Sequence, residues 1–317
     1  MLRQHHFSAL LPGPRLIVLG AVHGNEVAGT RGIERVVAEL DSGALSLARG
    51  SVTFVPITNP LAYEKQQRAG DRNLNRNLRP VAEPQDYEDH IANVLCPLLA
   101  RHDVLLDLHS FQSAGVPFAM LGPQNNTGDL EPFSQAKAEE ALALHLGVGR
   151  LVEGWLSTYA VGVKNRLART LPDARQQLLN TDPTYGIGTT EFMRSQGGYA
   201  ITLECGQHSD PQGAEVAYRA IRNTLAHLGL TDEGVQDSVK DHTLLRLAEV
   251  TDRHHAGDTF AQAWKSFDAL KAGELIGTRH DGTAVIAPRD GYVVFPNALA
   301  LPGNEWFYFA QLSERRL

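Results

Sequence analysis

The chain has 317 residues, of which 43% are hydrophobic and 21% charged, with a formal net charge of −7. That length buries a large core and is expected to hold two domains. The negative balance argues against a general nucleic-acid or anionic-membrane binder, and no apolar run approaches a membrane span.

The start, MLRQHHFSALLPGPRL, lacks the long apolar core and cleavage site of a secretory signal. Cys96 and Cys205 are the only cysteines, which fits a reduced, cytoplasmic protein without a disulfide framework. Residues 1 to 14 read as a short strand and a Pro-Gly-Pro turn. Leu16, Ile17, Val18 and Leu19 form an apolar run expected to be a buried strand, and a helical pattern follows from 27 to 40. Residues 51 to 57 read as a second strand. A polar stretch rich in Arg and Asn covers 63 to 84, and a helix is expected from 87 to 101. Residues 103 to 108 form a third strand, and 118 to 121 another. Residues 133 to 180 look mostly helical, with breaks at 147 to 149 and near Pro172. A Gly-rich loop covers 184 to 190, a strand 199 to 204 and a helix 215 to 228. Alternating strands and helices imply a largely parallel α/β sheet. After a polar linker at 231 to 241 the texture changes to short strands and Asp-Gly turns, which read as a small β domain. The expected division is 1–232 and 240–317.

Three features share one geometric logic. His23 and Glu26 lie where the first strand hands over to a helix, His109 follows a strand in Asp107-Leu108-His109-Ser110, and Glu204 closes the strand ITLE. Ligands of open α/β sheets bind at the carboxyl ends of strands. Two His and one carboxylate make a His2Glu zinc site with an open position, and a further Glu supplies a base. Gly24 is expected to let the backbone bend between the first two ligands. Asp107 is placed to orient a ligand, on the same side of its strand as His109. Arg68, Arg72 and Arg76, with Asn73 and Asn75, would suit an anionic substrate near such a mouth. A solvated charged loop is the plain alternative. His208 follows Glu204 closely enough to line the mouth, although an ordinary loop residue is the simpler reading. Cys205 reads as a buried, inert thiol.

The segments Gly20-Ala-Val-His-Gly-Asn-Glu26, Asn73-Leu74-Asn75-Arg76, Asp107-Leu-His-Ser110 and Leu203-Glu204-Cys-Gly206 occur in a telling order. They resemble the succinylglutamate desuccinylase/aspartoacylase family of the zinc carboxypeptidase superfamily, over roughly residues 15 to 230. The resemblance implies a zinc-carboxypeptidase-like mixed, largely parallel sheet flanked by helices, with the small C-terminal β domain matching more loosely. It implies one zinc ion held by His23, Glu26 and His109, with Glu204 as general base. By the same resemblance Arg68 polarises the scissile carbonyl, and Asn75 and Arg76 hold the substrate carboxylate. Arg194, ten residues before Glu204, matches by spacing an arginine for a substrate side-chain carboxylate. The family commonly has Asp where this chain has Asn73, so a charge beside the site is removed.

The implied activity is zinc-dependent hydrolysis of the amide of an N-acyl amino acid, a small anionic substrate. Crowded arginines, with Arg194 among them, point to substrates carrying two carboxylates. A peptide-cleaving zinc carboxypeptidase and a non-catalytic zinc or anion-binding module are the rival readings. Glu204 counts against the module, since a binder needs no base. The C-terminal domain is expected to cover the pocket mouth, and homo-oligomerisation is compatible with the sequence.

Overall fold

In the computed structural model, which describes residues 1–169, 181–236 and 239–317, the first apolar run is the strand Arg15–Leu19 (β2), preceded by His5–Ser8 (β1). Ser51–Val55 (β3), Val104–Phe111 (β4), Phe118–Leu121 (β5), Arg150–Glu153 (β6) and Tyr199–Gln207 (β7) complete the N-terminal strands. Between them run Ala28–Ser42 (α1), Pro60–Lys65 (α2), Tyr87–Leu99 (α3), Ala136–Ala143 (α4), Trp155–Arg169 (α5), Thr189–Ser195 (α6) and Gly213–His227 (α7). The C-terminal strands are Thr243–Asp252 (β8), Thr259–Phe260 (β9), Ala269–Leu270 (β10), Leu275–Thr278 (β11), Ala284–Ile286 (β12), Gly291–Val294 (β13) and Glu305–Leu312 (β14).

One sheet of 11 strands runs β1-β3-β2-β4-β7-β5-β6-β8-β14-β13-β10, and β12-β11-β9 form a second, small sheet. Strands β3, β2, β4 and β7 are parallel; β5 is antiparallel to β7, and β8, β14, β13 and β10 pair antiparallel. β8 also pairs in parallel with β6, so the C-terminal strands continue the main sheet. Helices cover both faces, which is why the central strands read as unbroken apolar runs. In β2, Leu16 and Val18 join the cluster with Ile33 and Val36 of α1 and Ile221 of α7. Ile17 and Leu19 join Ile91 and Leu95 of α3 on the other face.

Local chemistry sets the helix limits. Asp86 caps α3 by accepting from Asp89 N. Gly43, with φ of 75°, ends α1 in the left-handed conformation, its N–H donating to Leu40 O. Two expectations need refinement. The described part of the stretch 133 to 180 is mostly helical, in α4 and α5, but the short run Arg150–Glu153 between them is strand β6. The part from 170 to 180, including the break near Pro172, lies outside the described residues. The Gly-rich loop of 184 to 190 is instead a 3-10 turn at Pro183–Gly186, then Ile187 and Gly188, then the start of α6.

Candidate active site

The turn after β2 is pinned by the backbone. Gly20 N donates to Val55 O, Thr58 N to Gly20 O and Asn59 N to Ala21 O. Ala21 sits at φ 46°, a left-handed conformation that a non-glycine residue adopts only when its surroundings impose it. His23 and Glu26 follow at once. Gly24 is needed for packing rather than for bending: a Cβ there would lie 1.9 Å from the Ala62 carbonyl carbon, inside α2. The tight seat of α2 against this turn therefore fixes the height of both candidate ligands above the sheet.

His109 comes from the carboxyl half of β4, next to β2. Its donor atoms converge with those of the first pair. His23 Nδ1 lies 2.9 Å from Glu26 Oε1, and His109 Nδ1 lies 3.0 Å from Glu26 Oε2 and 3.2 Å from His23 Nδ1. Tetrahedral coordination with bonds of about 2.0–2.1 Å puts neighbouring donor atoms about 3.3 Å apart. The three side chains are all buried and fit one metal ion.

Each imidazole is also held from behind. His23 Nε2 is 2.9 Å from Asn73 Oδ1, and His109 Nε2 is 2.9 Å from Asp107 Oδ2. Both rings thereby present Nδ1 to the centre while the other nitrogen faces an oxygen, the arrangement that outer carboxylates and amides give to metal-ligating histidines. Asn73 keeps the acceptor while removing the charge that Asp would bring. Burial, assisted by Arg68, pushes the His23 imidazole down to about 4, so it is neutral, the form a metal requires. Burial alone would lower His109 too, but Asp107 and Glu26 outweigh it and raise it well above the usual histidine range. Burial would raise Glu26, yet His23 and His109 hold it well below the usual carboxylate range.

Glu204 is delivered by register. In the β4–β7 ladder Thr202 pairs with Asp107 and Glu204 with His109, so Glu204 and His109 point to the same side on adjacent strands. Phe118 of β5 pairs with Glu204 on its other flank. The Glu204 side chain is buried and its Oε2 has no hydrogen-bond partner among the described residues. Burial pushes its carboxyl up to about 8, against the pull of His109 and Arg68 and with the push of Glu26 and Asp107.

The Arg- and Asn-rich stretch is a built loop. Arg68 reaches the trio, its Nη1 donating to Glu26 Oε1 at 3.0 Å, while half the side chain stays exposed. Arg72 is not a substrate group: it is clamped by Asp86 (2.8 Å) and Asp89 (2.7 Å), and donates to the carbonyls of Asn73 and Arg76. The Arg76 guanidinium lies 4.6 Å from the centroid of the Trp155 ring and donates to Asn75 O. Asn75 Oδ1 accepts from Thr189 N at 2.9 Å at the start of α6.

Glu88 organises this loop, and no local pattern marks it. It is fully buried in α3, and its carboxylate accepts from Asn59 Nδ2 and from the N–H groups of Gly70, Asp71 and Arg72. Glu88→Gln sets an NH2 against some of these donors. It is expected to destabilise the fold by about 2–3 kcal/mol and to speed amide exchange at 70 to 72. Thermal melting and hydrogen exchange check this; an unchanged melting point with unchanged protection would show that the loop does not depend on Glu88.

Arg194 is where the carry-over by spacing fails. Its side chain is buried, pairing with Glu139 at 2.8 Å and Glu131 at 2.9 Å, and donating to Ala200 O. Ala200 lies four residues before Glu204, about 13 Å along β7. Arg194 is thus a structural cation in an acidic nest, not a group brought to His23, Glu26 and His109. His208, by contrast, does stand beside the site: its Nδ1 is 2.8 Å from Ser110 Oγ, and Ser110 N donates to Glu26 Oε2. Cys205 is buried, and burial raises its thiol well above its usual range, as expected of an inert cysteine. A surface cleft of about 690 Å³, lined by Lys240, His242, Ser313 and Arg315 among others, contains none of these residues.

The C-terminal strands meet the segment just after His109. Phe295 packs 6.1 Å from Phe111, Ser266 N donates to Ala114 O, and Ser113 Oγ lies 3.2 Å from Ser266 Oγ.

Fold and site together define an α/β protein with a buried His-Glu-His trio of metal-binding type at the carboxyl ends of adjacent parallel strands. The family model for the succinylglutamate desuccinylase/aspartoacylase catalytic domain matches residues 12–144, a span that holds the trio, Arg68, Asn75 and Arg76. Over that span, which is less than half of its length, the chain is similar to the succinylglutamate desuccinylase/aspartoacylase family. A probable aspartoacylase of Prochlorococcus marinus is 28% identical over 151 residues, 44% of this chain, and the match spans 50% of that relative's length. A succinylglutamate desuccinylase/aspartoacylase structure from Rhodobacter sphaeroides superposes with a TM-score of 0.73 at 16% identity, covering 98% of this chain and 90% of its own. The product-bound ectoine utilization protein EutE (DoeB) of Ruegeria pomeroyi follows at 0.71 and 20% identity, covering 97% and 88%. At these identities the structural likeness concerns the fold. Among the described residues no helix is long and apolar enough to cross a membrane.

Proposed function

We propose that the chain is a zinc-dependent deacylase that hydrolyses the amide bond of an N-acyl amino acid. The observation that carries this reading is the buried, unpartnered Glu204 Oε2, held in register with His109 beside the trio. A zinc ion held by His23, Glu26 and His109 would supply Lewis acidity toward water and the scissile carbonyl. Glu204 takes a proton from the attacking water at Oε2 and returns it to the leaving amine. Burial favours the protonated form of Glu204, which suits the second half of that cycle. Arg68, half exposed at the rim, donates to the oxyanion that develops on the carbonyl. Arg76, stacked on Trp155, pairs with the α-carboxylate, with Asn75 Nδ2 as a second donor.

The expected preference for two carboxylates loses its basis. Arg194 and Arg72 are both neutralised by fixed carboxylates, so neither is a cation waiting for a second anion. One fixed carboxylate is the requirement that remains. Purified protein with its zinc content measured should hydrolyse N-acyl amino acids. Amidation of the substrate's carboxylate should lower kcat/KM by about 10–100-fold. A panel of N-acetylleucine, N-acetylphenylalanine, N-acetylaspartate and N-succinylglutamate, each with its carboxamide counterpart, makes the test. Equal cleavage of the carboxamides would remove Arg76 from this role. Faster cleavage of peptides than of acyl amino acids would favour a carboxypeptidase.

A further inference from the structure

Behind His109 the chain of polar contacts does not stop at Asp107. Asp107 is fully buried, and its Oδ2, 2.9 Å from His109 Nε2, also accepts from Thr189 Oγ1. Thr189 is itself fully buried at the first turn of α6, and its backbone N–H donates to Asn75 Oδ1. Asp107 Oδ1 has no partner among the described residues, so the Thr189 hydroxyl and the His109 ring are the groups that fix this carboxylate. A buried carboxylate with few donors is free to rotate when one is lost, and the imidazole it orients turns with it.

We infer that Thr189 is a positioning residue for the metal centre, acting through Asp107 on the ring of His109; the inference rests on the reading of His23, Glu26 and His109 as zinc ligands. The same residue joins the centre to the substrate loop. Its backbone N–H holds Asn75, next to Arg76, while its hydroxyl donates to Asp107 and also lies 3.3 Å from Asn75 Oδ1. Side-chain substitutions at 189 leave the N–H to Asn75 in place, and the Asp107→Asn background separates the hydroxyl's hold on Asp107 from its longer contact with Asn75.

The test is zinc affinity, read by competition with a fluorescent chelator, together with the melting point of each metal-free variant. Thr189→Val should weaken zinc binding by about tenfold, and Thr189→Ser should stay within about twofold of the parent. On an Asp107→Asn background, Thr189→Val should add little, because both changes act on one link. Thr189→Cys keeps the volume but donates poorly, and it decides the matter if the valine variant does not fold. Parent-like zinc affinity in Thr189→Val, with His109→Ala clearly weakened, would overturn the inference and leave the zinc reading standing. So would equal weakening by Val and Ser, or additive effects with Asp107→Asn. If His109→Ala binds zinc as the parent does, the zinc reading itself fails and the inference falls with it.

Discussion

Glu204→Gln is expected to keep the fold and the zinc but lower kcat by about 10²–10⁴-fold. The substitution is nearly isosteric, so the packing against Phe118 and the ladder with β4 survive. What changes is the atom at Oε2. Since Oε2 has no partner among the described residues, a carboxamide there breaks no hydrogen bond of the fold. It simply cannot take a proton. Loss should therefore appear in kcat with little change in KM, which distinguishes a proton carrier from a binding group. Single-turnover kinetics and metal analysis on the same preparation make the measurement. Near-parental turnover with full zinc would take Glu204 out of the mechanism. Glu191 and Glu153 do not offer ready substitutes: Glu191 Oε2 accepts from Gly188 N, and Glu153 pairs with Arg315 at 2.8 Å.

His109→Ala is expected to weaken zinc by more than about 100-fold, beyond what the loss of an outer partner costs. Two things go at once. The centre keeps only His23 and Glu26, and two buried carboxylates, Glu26 and Asp107, lose the imidazole that lies between them. An uncompensated buried charge is strongly destabilising, so the melting point should fall as well. Metal analysis after dialysis against a weak chelator reads the first effect, and calorimetry the second. Full occupancy in the variant would show that His109 is not a ligand.

The elements legible in the sequence were those whose cause is local. Leu16 to Leu19 and the run around Leu105 are buried on both faces, and such runs announce themselves. The C-terminal strands were bracketed by Asp-Gly and Pro-Gly turns. β6 was hidden because four residues, Arg150–Glu153, sit between helical patterns, and a short apolar run does not reveal its period. α6 was hidden because Asn75, which accepts from Thr189 N at its start, lies more than a hundred residues away. The site divides in the same way. His23, Glu26, His109 and Glu204 could be singled out because each lies in the carboxyl half of a strand or in the turn that follows one. Arg194 was misplaced because spacing says nothing about Glu131 and Glu139, the carboxylates that hold it. Glu88 and Thr189 carry no motif, only partners brought close by the fold. The one available signal was their setting, since Glu88 stands on an apolar helix face and Thr189 follows Gly186 and Gly188.

The position of β7 bears on how the chain is made. β7 lies between β4 and β5, although nearly two hundred residues are synthesised before it. The candidate ligands come from the turn after β2 and from β4, so that half of the centre emerges first from the ribosome. Until Tyr199–Gln207 follows, β4 has an open edge, the kind of surface that recruits stray strands. Insertion of β7 closes that edge and brings in Glu204 in one step. The growing chain therefore holds the candidate metal ligands before it holds the candidate base, which arrives with the strand that seals the sheet.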